Sequence, residues 1–401
     1  MSDVIADRLN RISPSQTTAM RQRSQALKAE GKDVLAISSG EPDFDTPQHI
    51  KDAAIAAIQG NQTRYTDIAG TKALREAVAR KFKRDSGLDY TADEILVGTG
   101  GKQVIYDAMI ATVNAGDEVI IPTPCWVSYP DIVGLAEGTP VLLPCGPNQG
   151  FKLLPEQLEA AITPKTKWLI VNTPSNPTGA TYSAAELRGL CDVLLRHPQV
   201  HVLTDDIYEK LIYDGREFAT FAQVEPKLRD RTVAMNGCSK AYAMTGWRIG
   251  FGGAPRHIIK AMDKLQGQST SNTCSIAQAA AIAALDGPQE PTEAMRQVYE
   301  ARRNRIVAAL DATPHLRCHL PEGAFYAFPD LTDCIGRTTA GGTKITSDWD
   351  FVLALLSEGG VATVHGSAFL FPGHFRLSFA AADTLLDEAC RRIRTFCEGL
   401  S

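Results

Sequence analysis

The sequence predicts an α/β fold: a mainly parallel, doubly wound sheet in a large domain, with a smaller α+β domain beside it. The chain has 401 residues, which is more than one compact core usually organises, so we expect two domains. From about residue 94, short runs rich in β-branched residues alternate with helix-like segments, as in sheets whose parallel strands are joined by helices. After about residue 285 the pattern changes to a long charged helix and short, separated strands.

The large domain contains seven apolar runs of strand length. The segments "KQVIYDAMIATV" (102–113) and "AAELRGLCDVLLRH" (184–197) lie between such runs and have the apolar spacing of amphipathic helices. A helix between two strands returns the chain to the same end of the sheet, so most of the strands are expected to be parallel. The seven runs are "EILVGTG" (94–100), "DEVIIPT" (117–123), "TPVLLP" (139–144), "KWLIVNTP" (167–174), "HVLTDDIY" (201–208), "RTVAMNGCS" (231–239) and "RIGFGGAP" (248–255).

The C-terminal third predicts a smaller α+β domain. The helix "EAMRQVYEARRNRIVAAL" (293–310) precedes "EGAFYAFPDL" (322–331), "DFVLALLSEGGVATVHG" (350–366), "HFRLSFA" (374–380) and a final helix. The Gly- and Thr-rich stretch 336–350 is expected to be a loop, either simply flexible or acting as a lid. The expected division is an N-terminal arm and part of the small domain (1–45), the large domain (46–285) and the rest of the small domain (286–401).

The composition argues against nucleic-acid, membrane and metal-binding functions. The formal net charge is -5, which gives no support for a polyanionic partner. No apolar run approaches the length of a membrane span, and the N-terminus lacks the apolar region of a secretory signal. The nine cysteines include no Cys-x-x-Cys pair, and the eight histidines show no metal-ligand spacing. We therefore expect a cytoplasmic, metal-free protein whose thiols are buried or half-buried.

Ligands of open α/β sheets bind beyond the carboxyl ends of the strands, so the residues at those ends are the candidates for a site. The first run ends in "GTGGKQ", where Gly100 and Gly101 precede Lys102 at a turn from strand to helix. Glycines allow close approach of the backbone, and a helix N-terminus favours an anion such as phosphate. The sequence does not match the nucleotide-binding patterns G-x-x-x-x-G-K-[ST] or G-x-G-x-x-G. A plain tight turn is the alternative.

Polar residues also follow the fourth, fifth and sixth runs. Asn176 lies in "NTPSNPTG", and Asp205 and Tyr208 lie in "TDDIYE". The sixth run leads directly into Ser239 and Lys240. An aspartate in such a position is often only a helix cap, and a lysine among small residues is often solvated. Their convergence on one edge of the sheet instead indicates a ligand site.

Together these residue types suit pyridoxal phosphate. The amine of Lys240 can bind the aldehyde of this cofactor, and Asp205 can keep its pyridine nitrogen protonated. Arg248, in "TGWRIG", offers a guanidinium to the phosphate, and the indole of Trp126, in "PTPCWVSYP", can stack on the ring. The released lysine would then move a proton between the substrate Cα and the cofactor.

Over essentially its whole length the chain resembles class I aminotransferases of fold type I, most closely the Ib subgroup of aspartate aminotransferases. This resemblance implies pyridoxal 5′-phosphate and transfer of an amino group from an L-amino acid, with aspartate first, to a 2-oxo acid, with 2-oxoglutarate first. Nine segments carry it in the order of the family: "SGEPDFDTP", "RYTDIAGTKALREA", "GTGGKQ", "PCWVSYP", "NTPSNPTGA", "DDIYE", "SKAYAMTGWRIG", "EGAFY" and "FRLSFA".

The resemblance also implies roles for individual residues. Lys240 would be the Schiff-base lysine, Asp205 would bind the pyridine nitrogen, and Tyr208 with Asn176 would bind the phenolic oxygen. The phosphate would be held by Gly100, Gly101, Ser239 and Arg248, with Lys102 beside it. The substrate would be held by Arg376 at its α-carboxylate, by the backbone of Gly40, by Trp126 and Asn176, and by Lys102 at a distal carboxylate.

A homodimer is a further implication of the resemblance. Tyr65, in "RYTDIAG", would reach the phosphate site of the partner subunit, and the polar stretch "QGQSTSN" (266–272) is expected to approach the same interface.

Two departures from the family pattern concern the substrate and the phosphate. Ser13 stands where many relatives have a lysine that helps to hold prephenate, which weakens the expectation of prephenate or any dicarboxylate. Gly237 stands where some relatives carry a phosphate-binding serine, and Ser239 is the expected substitute.

Several other functions remain compatible with parts of the sequence. An aromatic or other amino-acid aminotransferase, an aspartate/prephenate aminotransferase, and a decarboxylase, lyase or cyclase could all share this fold. A transcription regulator built on the same fold would need a DNA-binding domain before "AISSGEPDF", and the roughly 35 preceding residues do not resemble a winged helix.

Overall fold

The computed structural model describes residues 4–14 and 16–401. Within the expected N-terminal arm, residues 1–3 and Ser15 therefore lie outside the described residues. Two groups of strands organise the chain: one seven-stranded sheet and, apart from it, a set of short strands near the C-terminus. The strands are β1 (Leu35–Ala36), β2 (Ile95–Thr99), β3 (Glu118–Thr123), β4 (Thr139–Pro144), β5 (Thr166–Asn172), β6 (His201–Asp205), β7 (Thr232–Gly237), β8 (Ile249–Gly253), β9 (Tyr326–Ala327), β10 (Val361–Ala362), β11 (Val364–His365) and β12 (Phe375–Ser378).

The large sheet is mainly parallel, as predicted, and all seven apolar runs form its strands. Its order is β2-β8-β7-β6-β5-β3-β4. β8 is antiparallel to both of its neighbours, and the other neighbouring strands are parallel. The link from β7 to β8 contains only a short 3-10 turn, so the chain reverses direction there and the strand returns antiparallel.

Helices cover both faces of this sheet, which explains why its central strands are apolar throughout. Every residue of β7 is buried, for example. The helices are α1 (Gln16–Ala29), α2 (Gln48–Gln59), α3 (Lys72–Ser86), α4 (Gly101–Thr112), α5 (Ser128–Leu135), α6 (Pro155–Ala161), α7 (Ala184–Arg196), α8 (Phe221–Val224), α9 (Arg256–Gln266), α10 (Ser275–Asp286), α11 (Glu290–Asp311), α12 (Asp348–Gly359) and α13 (Asp383–Glu398).

The N-terminal segment is built into the C-terminal core. β1 pairs in parallel with β10, with Leu35 opposite Val361. Met20, Val34 and Ile37 are buried in the same hydrophobic cluster as side chains of α11, α12 and α13. β12 lies between β11 and β9 and is antiparallel to both.

The Gly- and Thr-rich stretch 336–350 is held in place by one carboxylate. Glu358 of α12 accepts hydrogen bonds from the hydroxyls of Thr339 (2.9 Å) and Thr343 (3.0 Å). The stretch also contains a bridge between Thr338 and Lys344, and its last three residues already belong to α12. Both observations describe a tethered loop on the side of α12.

The cysteines follow the prediction with one exception. Seven are buried and Cys318 is half-buried, but Cys274, directly before α10, is exposed. Across the described residues, no helix is long and apolar enough to cross a membrane. In the same part of the chain, no group of three or more His, Cys, Asp or Glu side chains is arranged to hold a metal ion.

Candidate active site

A cavity of about 570 Å³ lies beyond the C-terminal ends of the parallel strands, between the large sheet and the C-terminal core. All the predicted site residues line this cavity except Gly100 and Tyr65. Gly100 directly precedes the lining residue Gly101 in the chain, and Tyr65 is 92% exposed. Those that line it are Gly40, Gly101, Lys102, Trp126, Asn176, Asp205, Tyr208, Ser239, Lys240, Arg248 and Arg376.

Lys240 lies just beyond β7 with its side chain half-buried in the cavity. Its Nζ donates a hydrogen bond to the carbonyl oxygen of Gly40 (2.6 Å). Burial lowers the pKa of Lys240 to about 8, with the charges of Arg376 and Arg248 acting in the same direction, against the carboxylates of Glu41 and Asp205. A lysine with this pKa has a substantial fraction of free amine near neutral pH, which a nucleophile requires.

Asp205 is the last residue of β6 and is buried at the opposite wall. Its Oδ2 accepts a hydrogen bond from the hydroxyl of Tyr129 (2.6 Å), and its Oδ1 accepts one from the backbone N–H of Ile207 (3.3 Å). Burial raises the pKa of Asp205 to about 6, although both hydrogen bonds oppose the rise. The neighbouring Asp206 does not line the cavity, since it accepts hydrogen bonds from the hydroxyls of Thr204 and Thr220.

The predicted phosphate turn lies at the N-terminus of α4. Gly100 precedes the helix with a φ of 82°, and a Cβ on this residue would overlap the guanidinium of Arg248. Arg248 is itself in the left-handed region, with a φ of 55°, and donates to the carbonyl oxygen of Thr245 (2.9 Å). The helix N-terminus and the guanidinium therefore converge on the same space, and both favour an anion there.

The absence of a serine at position 237 has a steric reason. A Cβ on Gly237 would lie 2.9 Å from the carbonyl oxygen of Ile249 in the adjacent strand β8. Ser239, two residues further on, does line the cavity. The hydroxyl available at this wall is therefore that of Ser239.

Asn176 and Tyr208 occupy the wall between Asp205 and the C-terminal core. The backbone N–H of Asn176 donates to Oδ1 of Asn172 (2.8 Å), whose Nδ2 in turn donates to the carbonyl oxygen of Asp205 (2.8 Å). The hydroxyls of Tyr208 and Tyr326 share a hydrogen bond of 2.8 Å. Both tyrosines are buried.

Arg376 is buried in the middle of β12, with its side chain in the cavity. Its guanidinium donates to Oδ1 of Asn176 (2.9 Å) and to the carbonyl oxygen of Ser38 (2.7 Å). It also packs over the rings of Tyr326 (4.5 Å) and Phe369 (4.9 Å). Its Nε is buried and has no hydrogen-bond partner among the described residues, so this edge of the guanidinium can receive a carboxylate.

Lys102 adds a further cation at the mouth of the cavity. Its Nζ lies 4.8 Å from the centre of the Trp126 ring. Desolvation and the charge of Arg248 lower the pKa of Lys102, while the carboxylate of Asp131 opposes this effect. Ser13 does not line the cavity; its backbone N–H donates to Asp131 instead.

Two site residues were not assigned from the sequence. Tyr129 is three residues after Trp126 in α5, and their rings meet edge to face at 5.3 Å. Tyr326 ends the motif "EGAFY" and lines the cavity from β9. Tyr129 lies in the quoted segment "PCWVSYP" and Tyr326 in "EGAFY", but their partners Asp205 and Tyr208 are 76 and 118 positions away, so the contacts themselves had no local signal.

A mainly parallel sheet with a lysine of lowered pKa beyond its carboxyl edge is typical of a class of enzymes that act through pyridoxal 5′-phosphate. The family model for class I and II aminotransferases matches residues 32–393, and the chain belongs to this family. It is an aminotransferase, and pyridoxal 5′-phosphate is the cofactor of such enzymes.

The similarity to known aminotransferases extends over the whole chain. The aspartate/prephenate aminotransferase of Cereibacter sphaeroides is 55% identical over 99% of both chains. A crystal structure of the aspartate aminotransferase from Rhizobium meliloti has a TM-score of 0.97 at 49% identity and covers 100% of both chains. The aspartate aminotransferase from Thermus thermophilus with maleate has a TM-score of 0.92 at 38% identity, covering 98% of this chain and 100% of that one.

The residues present fit the cofactor chemically. Only glycine fits at position 100, because a Cβ there would overlap the guanidinium of Arg248. Lys240 and the buried carboxylate of Asp205 line the same cavity, and the charge of each affects the pKa of the other. Lys240, Asp205 and Arg248 are thus an amine, an anion and a cation in one cavity, the kinds of group that an aldehyde, a pyridine nitrogen and a phosphate require.

Proposed function

We propose that this aminotransferase transfers the amino group of L-aspartate to 2-oxoglutarate. The observation that carries the proposal is that the cavity holds two cations besides Lys240 and Arg248, which are assigned to the cofactor: Arg376 at its inner wall and Lys102 at its mouth. A dicarboxylate needs one cation for each end, whereas a neutral amino acid needs only the first. The names of the relatives from Rhizobium meliloti and the maleate bound to the Thermus thermophilus enzyme support a dicarboxylate.

On the cofactor side, we propose that Lys240 forms the covalent link and that Asp205 pairs with the pyridine nitrogen. Tyr208 and Asn176 would donate to the phenolic oxygen. Bound at these residues, the cofactor supplies an acceptor for the electrons left at the substrate Cα when its proton departs. The phosphate ligands in this proposal are Gly100, Gly101, Ser239 and Arg248, with Trp126 covering the ring.

On the substrate side, we propose that Arg376 binds the α-carboxylate with its unpartnered Nε edge, supported by Asn176 and by the backbone of Gly40. Lys240 then has two tasks. As a free amine it takes the proton from Cα, and as an ammonium it returns a proton within the same cavity. Its lowered pKa of about 8 supports both tasks, since neither protonation state is strongly disfavoured near neutral pH. The amino group leaves aspartate as oxaloacetate forms and is then passed to 2-oxoglutarate to give glutamate.

The experiment that tests this function has a covalent and a spectroscopic part. Borohydride reduction of the cofactor-loaded protein followed by peptide mapping should label Lys240, and label on Lys102 would contradict the assignment. Aspartate added alone should convert the bound cofactor stoichiometrically to its aminated form. A lyase would instead release product without accumulating that form.

An aspartate/prephenate aminotransferase is the second candidate, favoured by the name of the Cereibacter sphaeroides relative. The second half-reaction tests this candidate: the aminated enzyme is mixed with prephenate or with 2-oxoglutarate as the acceptor, and the return of the bound cofactor to its original form is followed. Because Ser13 is exposed and provides no cation, we expect 2-oxoglutarate to be preferred by at least about tenfold, the contribution of one charged pair. Equal rates would favour the second candidate.

We also propose that the enzyme is a homodimer in which Tyr65 completes the phosphate site of the partner subunit. Tyr65 is 92% exposed in the single chain, and an aromatic side chain this exposed is typical of a surface that another subunit covers. Ile55 and Ile58, on the preceding helix α2, are 49% and 53% exposed and support the same interface. Sedimentation at assay concentration tests this proposal, and a fully active monomer would contradict it.

A further inference from the structure

Tyr326 is the one tyrosine of the C-terminal core that contacts three proposed ligands, and none of the roles above uses it. Its hydroxyl lies 2.8 Å from the hydroxyl of Tyr208. Its ring lies under the guanidinium of Arg376, at 4.5 Å. A Cβ on Gly40 would lie 2.7 Å from its hydroxyl oxygen, so the backbone of Gly40 passes directly over it.

We propose that Tyr326 is a positioning residue that couples the cofactor side of the cavity to its carboxylate side. Its hydroxyl donates to Tyr208, which directs the hydroxyl proton of Tyr208 towards the phenolic oxygen of the cofactor, while its ring fixes the plane of Arg376. This inference rests on the proposed function, because it concerns the ligands that function requires.

The direction of the hydrogen bond follows from the charges around it. Either hydroxyl can donate in the isolated pair. Burial raises the pKa of both hydroxyls and the charge of Arg376 opposes the rise in both, but the carboxylate of Asp205 raises the pKa of Tyr208 further, which leaves the hydroxyl of Tyr326 the better donor. A hydroxyl that accepts one hydrogen bond also donates its own proton more strongly, so the pair is cooperative.

The ring has a separate effect on Arg376. The guanidinium packs over the rings of Tyr326 and Phe369 and also donates two hydrogen bonds, so it has little freedom to rotate. Both contacts are face-on and depend on the rings, not on the hydroxyl. Removing the hydroxyl alone should thus affect Tyr208, whereas removing the ring should also affect binding of the α-carboxylate.

The contact with Gly40 provides a test that needs no cofactor. In the wild-type chain, Gly40→Ala would force its Cβ against the hydroxyl oxygen of Tyr326. With phenylalanine at position 326 the next nearest atom is the ring carbon Cζ at 3.8 Å, an ordinary contact. Gly40→Ala should therefore be less harmful in the Tyr326→Phe background, a non-additive result that residues out of contact do not give.

The experiment compares Tyr326→Phe, Tyr326→Leu and the matched control Tyr213→Phe. Tyr213 is fully buried in the same core and donates its hydroxyl to the carbonyl oxygen of Ala324, but it does not line the cavity. For Tyr326→Phe we expect the pH midpoint of the visible absorption of the bound cofactor to rise by roughly half a pH unit. We expect kcat to fall by about two- to tenfold with KM for aspartate unchanged.

Tyr326→Leu should show the same midpoint and in addition an increase of KM by roughly tenfold, because it also removes the ring under Arg376. The control should leave both the midpoint and KM unchanged. The melting temperatures of cofactor-free wild type, Gly40→Ala, Tyr326→Phe and the double variant complete the test. An unchanged midpoint in Tyr326→Phe, or additive melting temperatures, would overturn the proposal. If the wild type itself fails to aminate its cofactor with aspartate, the proposed function fails, and the melting cycle still reports on the contact.

Discussion

The hydrogen bond from Tyr129 to Asp205 should control the charge of the buried carboxylate. Tyr129→Phe removes a donor 2.6 Å from Oδ2 without changing the shape of the ring. A hydrogen bond to a charged group contributes about 1.5–3 kcal/mol, which corresponds to about 1–2 pH units in the titration of its acceptor. The pKa of Asp205 is already raised to about 6 by burial. The variant should therefore hold Asp205 protonated through neutral pH.

The consequence for stability has a definite sign. In the cofactor-free protein, the folded state keeps the Asp205 proton to a higher pH than the unfolded chain, so the stability contributed by this group falls as pH rises from about 4 through 6. In Tyr129→Phe this fall continues to a higher pH. At pH 5 the free energies of unfolding of the two proteins should differ only by the pH-independent effect of the lost hydroxyl. At pH 8 we expect the difference to be larger by about 1.5–2.5 kcal/mol.

Melting temperatures of the cofactor-free proteins at pH 5 and pH 8 provide the assay. The additional loss at pH 8 should appear as a further decrease of roughly 2–4 °C. Tyr182→Phe is the matched control, because its buried hydroxyl also makes one hydrogen bond, from the N–H of Leu153, but lies outside the cavity. A loss that is the same at both pH values in Tyr129→Phe would refute the reasoning.

Three further predictions concern Lys102, Lys240 and Tyr65. Lys102→Ala should lower turnover of aspartate and glutamate about ten- to a hundredfold more than that of phenylalanine, because only the dicarboxylates use a second cation; an equal decrease for all donors would assign Lys102 to the phosphate. The rate at which cofactor-free enzyme binds pyridoxal phosphate covalently should rise with pH, with a midpoint near pH 8 and a plateau above about pH 9, since the free-amine fraction of Lys240 grows as pH rises through its lowered pKa of about 8. A rate still rising steeply above about pH 10 would contradict this. Tyr65→Phe should weaken cofactor binding by about tenfold in equilibrium dialysis, because the hydroxyl would no longer reach the phosphate of the partner subunit. Tyr65 is 92% exposed in the single chain, so its hydroxyl can act only in the assembly. An unchanged affinity would therefore argue against a contribution to the partner subunit.

The seven strands of the large sheet could be predicted because each is a short apolar run with a turn after it. The antiparallel direction of β8 was harder to predict from the sequence. The link from β7 is too short for a crossover helix, but this is evident only once the helical segments on either side are fixed. The division into large and small domains stays a prediction, since the hydrophobic cluster of the C-terminal core also includes Ile207, Tyr208, Leu211 and Tyr213 from the range expected for the large domain.

The residues of the candidate site could be predicted from local sequence motifs, but the contacts between residues far apart in the chain could not. Lys240, Asp205 and Arg248 could be predicted because each follows a strand end or a recognisable motif. The partners that tune them could not, since Tyr129 reaches Asp205 across 76 positions and Arg376 reaches Asn176 across 200. Such contacts depend on how the strands pair and how the C-terminal core docks, and no local pattern encodes either.

The pairing of β1 with β10 has a consequence for the order in which the protein folds during synthesis. Leu35 must wait for Val361, so at about 5–20 residues per second the N-terminal strand remains unpaired for roughly 15–65 s on the ribosome. The large sheet, whose strands end at Gly253, can form meanwhile. During that interval Met20, Val34 and Ile37 have no core to enter. The nascent chain therefore exposes these apolar side chains of an otherwise polar N-terminal segment until most of the C-terminal core has left the exit tunnel.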